Sequence, residues 1–180
     1  MIFITGGVRS GKSAFAEKKA TQLGTNKNYY YIATGVAFDG EMKVRIKRHQ
    51  LDRQQQAVHW QTIEMQVDIP SEIKHLSEND VVLFECITTW LSNVLYKSEA
   101  ASERSEYIHN SIEKLQYDII NWHTRGAKVI IVSNEVLDEL PSKYEEVNLY
   151  RKLLGQLHQW IVSKCDEAYE VQFQLVQRWK

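Results

Sequence analysis

Cysteine is scarce in this 180-residue chain. Cys86 and Cys165 are too few for a disulfide framework or a cysteine-built zinc site, and they suit a reducing compartment. Neither sign of charge dominates: 22 Lys and Arg stand against 23 Asp and Glu, which argues against a nucleic-acid or polyanion surface. No apolar run approaches the roughly 20 residues of a membrane helix. Internal repeats and low-complexity tracts are also missing. The opening residues read as a strand entering a turn rather than as a signal peptide. These exclusions leave a soluble, cytoplasmic protein with no membrane span and no nucleic-acid partner. Its length suits one domain over residues 1–180.

What is present begins at the first residues. Met1–Thr5 is a short apolar run. Gly6, Gly7, Val8, Arg9, Ser10, Gly11, Lys12 and Ser13 then fit G-x-x-x-x-G-K-[ST] without a mismatch. The next residues, Ala14 to Ala20, are strong helix formers, so the motif sits where it must, between a strand and a helix. Backbone N–H groups of such a turn and of the helix start make a concave nest for phosphate oxygens. Lys12 is placed to reach β and γ phosphates, and Ser13 to ligate Mg²⁺.

Strand and helix signals alternate along the rest of the chain, which predicts an α/β protein with a mostly parallel central sheet flanked by helices. Strands are expected at Tyr29–Ala33, Trp60–Glu64, Asp80–Glu85, Ala127–Val132 and Ala168–Phe173. Helices are expected at Lys12–Leu23, from Asp39 or Gly40 to about Arg53, and over Val67–Leu76, Trp90–Tyr96, Glu103–Trp122 and Glu145–Val162. In the last helix Val147, Tyr150, Leu154, Leu157 and Ile161 should face the core. Gly155 there marks close packing or an irregularity. The tail, Gln174–Lys180, carries Leu175, Val176 and Trp179 and reads as packed.

Three strand ends carry candidate chemistry, since ligands of open α/β sheets bind beyond the carboxyl ends of the strands. Thr34 follows the second strand. Glu85 closes a near-continuous apolar strand, where it can hold Mg²⁺ or act as a base. Asn134 and Glu135 follow the fifth. A fourth stretch, Phe38–Arg53, places Arg45, His49 and Arg53 near one helical face. Two guanidiniums flanking an imidazole suit phosphate binding with nucleophilic or acid–base work at His49. His59 is the alternative nucleophile, without a comparable arginine flank. The residues alone also allow a P-loop kinase or nucleotidyltransferase with another acceptor, or a nucleotide-binding protein without turnover.

Taken together, the sequence resembles the bifunctional adenosylcobinamide kinase / adenosylcobinamide-phosphate guanylyltransferase family of cobalamin nucleotide-loop assembly. The resemblance runs through Thr5–Ser13, Tyr31–Thr34, Asp39–Arg53, then Trp60, Thr62 and Glu64, then Phe84–Trp90 and Asn134–Val136. It implies a RecA-like P-loop NTPase fold and two reactions. A γ-phosphoryl from ATP or GTP passes to the hydroxyl of adenosylcobinamide. GTP then forms a guanylyl–histidine intermediate, and GMP passes to adenosylcobinamide phosphate. The intermediate histidine corresponds to His49. Thr34, Arg45, Arg53, Glu64, Glu85 and Asn134 join the phosphate loop as nucleotide contacts, with Ser13 and Glu85 as Mg²⁺ ligands. Family members associate as homotrimers, with nucleotide near the subunit boundaries. The C-terminal part departs from the pattern: Leu137–Pro141 replaces a glycine-containing loop, and Asn148, Lys152 and His158 replace the family's polar residues. Gln172–Lys180 replaces a glycine- and proline-containing ending.

Overall fold

The computed structural model describes residues 1–24, 27–35, 58–137 and 141–180. The segment bearing Arg45, His49 and Arg53 lies outside the described residues, and so does the helix expected there.

Strands β1 (Ile2–Thr5), β2 (Asn28–Ala33), β3 (Trp60–Glu64), β4 (Asp80–Glu85), β5 (Lys128–Val132), β6 (Glu167–Gln172) and β7 (Leu175–Arg178) form one sheet. Their order is β3-β2-β4-β5-β1-β6-β7. Every pairing is parallel except that of β7 with β6. The described helices are α1 (Lys12–Thr21), α2 (Ile87–Ser98), α3 (Arg104–Thr124) and α4 (Glu145–Lys164). Central strands buried on both faces need apolar residues at every position, and Val81, Val82, Leu83 and Phe84 of β4 are all fully buried. Alternate residues feed two cores. Phe3, Ile32, Phe84 and Ile131 pack with Trp90, Trp122 and Leu154 from α2, α3 and α4. Ile4, Tyr31, Leu83 and Val132 pack on the other face with Ala16 and Ala20 of α1. Each large side chain so buried contributes about 1.5–3 kcal/mol from surface removed from water.

The expectation of a helix over Val67–Leu76 is not met. Val67, Ile69, Ile73 and Leu76 are buried as that pattern requires, but the backbone makes only a short 3₁₀ turn, Ser71–Ile73. Pro70 biases its predecessor away from helical dihedrals. The segment's carbonyls serve two buried indoles instead: Trp90 Nε1 donates to Val67 O at 2.9 Å, and Trp122 Nε1 to Ile73 O at 2.7 Å. The tail also differs from expectation. It pairs as β7 at the sheet edge, with every residue of the strand exposed, and Trp179 is 70 % exposed. Val147 points outward at 41 % exposure, one turn before the core face of α4 begins. α4 runs through Gly155 without a break, and a Cβ there would meet only Leu137 Cδ1 at 3.9 Å, an ordinary contact.

Register places the candidate chemistry. Ala33 lies opposite both Glu64 and Glu85, Glu85 opposite Val132, and Val132 opposite Ile4. Glu64, Thr34, Glu85, Asn134 and the glycine-rich turn after β1 therefore share the carboxyl end of the sheet. β5 separates the strand that feeds the turn from the strand that ends in Glu85.

Candidate functional site

The turn after β1 is fixed by close backbone approaches. A Cβ at Gly6 (φ 157°) would lie 2.2 Å from Val171 O, so only glycine fits between the turn and β6. Gly11 (φ 95°) takes the left-handed conformation at the N-cap of α1, and Phe15 N donates to its carbonyl at 3.0 Å. Glu135 N donates to Gly6 O at 3.0 Å and Ser133 N to Ile4 O at 2.9 Å, tying the segment after β5 to the turn. The start of a helix offers backbone N–H groups that its own ladder does not use, which suits phosphate oxygens.

Lys12, Ser13 and Glu85 come together at this turn. Lys12 Nζ donates to Gly7 O at 3.1 Å, so the ammonium lies over the loop. Ser13 Oγ donates to Glu85 Oε1. Glu85 Oε2 is buried with no hydrogen-bond partner among the described residues, and Ser10 Oγ within the turn is in the same position. Buried polar atoms left unpaired cost about 1–3 kcal/mol each. A cation on the carboxylate and a phosphate oxygen on Ser10 would satisfy both. With a single carboxylate, a Mg²⁺ ion here would complete its shell from phosphate oxygens and water.

Beside Glu85, the start of α2 is held from three sides. Thr34 Oγ1 donates to Cys86 O at 2.9 Å and accepts from Cys86 N at 2.8 Å, and Thr34 itself is fully buried. Asn93 Nδ2 donates to Thr34 O at 2.9 Å and to Gln66 O at 3.1 Å. Asn134 Nδ2 donates to Thr88 Oγ1 at 2.9 Å. The Cys86 thiol lies 3.0 Å from both Thr88 Oγ1 and Thr89 Oγ1. Tyr150 OH donates to Thr88 O at 3.2 Å, and burial pushes its phenol up to about 12. Glu64, also predicted for the site, stands two strands from Glu85 across β2 and is exposed. His59 is exposed just ahead of β3.

Two contacts were not foreseen from the sequence. His158 Nε2 lies 2.7 Å from Ser133 Oγ, and its ring tilts against Phe3 at 5.2 Å between centroids. Burial pushes this imidazole down to about 4, so it is neutral near pH 7. The available signal was its place between Leu154 and Ile161 on the core stripe of α4. The second contact is Gln174 N to Ser10 O at 2.8 Å, which brings the β6–β7 turn onto the glycine-rich loop. Nothing in the local sequence pattern marks that approach. A cavity of about 390 Å³ between α3 and α4, lined by Ile108, Ile112, Leu149 and Leu153, contains none of the site residues.

The family described as "Cobinamide kinase / cobinamide phosphate guanyltransferase" has a sequence model that matches residues 2–175. The bifunctional adenosylcobalamin biosynthesis protein CobU of Escherichia coli is 32 % identical over 178 residues, covering 95 % of this chain and 94 % of its own. The protein of that name from Salmonella typhimurium is 31 % identical, with 95 % and 94 % covered. The bifunctional adenosylcobalamin biosynthesis protein CobP of Pseudomonas aeruginosa is 31 % identical, with 92 % and 88 % covered. Among solved structures, an ATPase of a type III secretion system aligns with 94 % of this chain and 50 % of its own length, at 11 % identity and TM-score 0.49.

Proposed function

We propose that this chain, which belongs to the cobinamide kinase / cobinamide phosphate guanyltransferase family, carries out both transfers that turn adenosylcobinamide into adenosylcobinamide-GDP in cobalamin biosynthesis. The observation that carries this reading is the meeting of Ser13 with Glu85 at the glycine-rich turn, with one carboxylate oxygen buried and without a partner among the described residues. It suits a site for a nucleoside triphosphate and its cation.

In the kinase step, Gly6–Ser13 hold the phosphates of ATP or GTP, and Lys12 moves from the Gly7 carbonyl to the β and γ phosphates. The acceptor hydroxyl oxygen bonds to the γ-phosphorus, the bond to the bridging oxygen breaks, the nucleoside diphosphate leaves, and the hydroxyl proton passes to solvent. Ser13 and Glu85 would hold a Mg²⁺ ion, which would supply neutralisation of the phosphate charge. Glu85 is assigned to the cation rather than to a base because Ser13 already occupies one of its oxygens. Thr34 and Asn134 act by fixing the Cys86–Thr89 segment at the nucleotide's edge, and Glu64 contributes from the β3 end.

In the guanylyl step His49 is the nucleophile. Its neutral imidazole nitrogen bonds to the α-phosphorus of GTP, and pyrophosphate leaves with the bond it breaks. The phosphate of adenosylcobinamide phosphate then takes the GMP and frees the histidine. Arg45 and Arg53 balance the charge that develops. Support for these three roles comes from the family resemblance and from their spacing in the sequence.

The departures in the C-terminal part are compatible with this assignment. His158 supplies a hydrogen bond to Ser133, next to Asn134. Asn148 makes two bonds to the Ser142 backbone, 2.9 and 2.7 Å, and so caps the entry to α4. Residues 1–180 are taken as one nucleotide-binding and transferase domain. The cytoplasm is the proposed location, which the free thiols Cys86 and Cys165 suit. A homotrimer is the proposed assembly, on the family resemblance alone. Among the described residues, no helix is long and apolar enough to cross a membrane. The kinase reading is tested by incubation with γ-³²P-labelled ATP or GTP and adenosylcobinamide. Label should reach the corrinoid; if it never does, that reading fails even where nucleotide binds.

A further inference from the structure

The β6–β7 turn is built in a way that its position at a sheet edge does not require. Its central residues, Phe173 (φ 51°) and Gln174 (φ 66°), both adopt left-handed backbone conformations that two-residue hairpins usually give to Asn and Gly. Neither residue is suited to that conformation. The turn is nevertheless seated on the glycine-rich loop. Gln174 N donates to Ser10 O at 2.8 Å, and a Cβ on Gly11 would lie 3.2 Å from Gln174 Cγ. Val171 O, three residues before Gln174, fills the space that a Cβ on Gly6 would need. The loop is thus braced along one side by the end of β6 and the turn that follows.

Phe173 stands next to this brace and is 90 % exposed. Its Cα is one peptide unit, about 3.8 Å, from that of Gln174. Its backbone therefore stands beside the junction of the loop and α1, close to where a bound triphosphate would be gripped. Two observations point to a ligand on this side. Ser10 Oγ, in the residue that the turn contacts, is buried without a partner among the described residues. Val8, at the loop's apex, is a further apolar side chain left 65 % exposed.

We propose that Phe173 is the stacking platform for the purine base of the nucleotide whose phosphates the Gly6–Ser13 loop holds. This rests on the phosphate-loop reading given above and extends it to the base. An aromatic face recognises a base through its π surface, and every base has one, so adenine and guanine are accepted alike. The brace fixes the backbone that carries the platform relative to the phosphate loop. Strained residues such as Phe173 concentrate at ligand clamps.

The test is calorimetric titration with Mg²⁺ and three probes: the α,β-methylene analogues of ATP and GTP, which resist attack at the α-phosphorus, and inorganic tripolyphosphate. Phe173→Ala should weaken both nucleotide analogues by about five- to hundredfold, the range of base–aromatic stacking, and leave tripolyphosphate unchanged. Phe173→Trp should keep nucleotide affinity near that of the natural chain. Equal loss for all three probes in Phe173→Ala would overturn the proposal, since the turn would then only brace the loop. No loss for any probe would overturn it too. So would altered sedimentation with nucleotide affinity intact, which would assign the ring to a second copy of the chain. If the natural chain binds none of the three, the phosphate-loop reading itself fails and takes this inference with it.

Discussion

Ser13 and Glu85 are 72 positions apart, yet the hydroxyl of one is bonded to the carboxylate of the other. Among the described residues Glu85 Oε2 and Ser10 Oγ are buried without a hydrogen-bond partner, which suits a ligand at this place. Lys12→Ala should abolish tripolyphosphate binding while the circular dichroism spectrum is unchanged; retained affinity would count against the loop. Glu85→Gln keeps a partner for Ser13 but removes the charge. Its kinase turnover should fall about hundredfold, the scale seen when one preorganised electrostatic partner is lost, and initial rates against γ-labelled nucleotide measure this. His158 makes a prediction in pH. Its imidazole, ordinarily near 6.5, is pushed down to about 4 by burial. As pH falls below about 6.5 the unfolded chain takes up a proton that the folded chain refuses until about 4. Stability from this residue is therefore complete above 6.5 and is lost between 6.5 and 4. His158→Gln, which keeps an amide near Ser133, should flatten the pH dependence of denaturant-measured stability in that window by on the order of 3 kcal/mol. An unaltered slope would contradict the neutral buried imidazole.

Among the elements, α4 offers the cleanest stability test. Gly155 sits mid-helix with room for a methyl group, so Gly155→Ala should stabilise the protein by about 1 kcal/mol. That corresponds to a thermal midpoint some 2–4 °C higher in a chain of this size. A lowered midpoint would mean that Leu137 cannot accommodate the methyl. The elements also divide by how readable they were. β3 and β4 begin and end where their residues predicted, since Asp80–Glu85 is an apolar run closed by charge at each end. The phosphate loop was legible because its chemistry is local, eight consecutive residues between a strand and a helix. Val67–Leu76 was misread because burial periodicity does not specify backbone: Pro70 and the two indole donors redirected the carbonyls. The seating of Gln174 on Ser10 was illegible for a different reason. It joins residues 164 positions apart through backbone atoms, which leave no trace in side-chain type.

At the scale of the whole molecule, the parallel order brings the ends of β2, β3, β4 and β5 and the turn after β1 to one edge. Thr34, Glu64, Glu85 and Asn134 thereby share that edge with the glycine-rich turn. At the sheet edge beyond β6, β7 leaves Leu175 and Val176 exposed, and Trp179 just after it is exposed too. The proposed trimer should sediment at three times the 21.1 kDa of the chain; a monomeric mass at micromolar concentration would refute that assembly. The central claim is that one chain uses the phosphate loop and a histidine nucleophile in succession, and covalent labelling addresses it most directly. Incubated with Mg²⁺ and α-³²P-labelled GTP, the protein should acquire acid-labile, base-stable label. The label should be absent in His49→Ala and should pass to adenosylcobinamide phosphate when that acceptor is added. Full labelling of His49→Ala, or label that the acceptor never receives, would contradict the account.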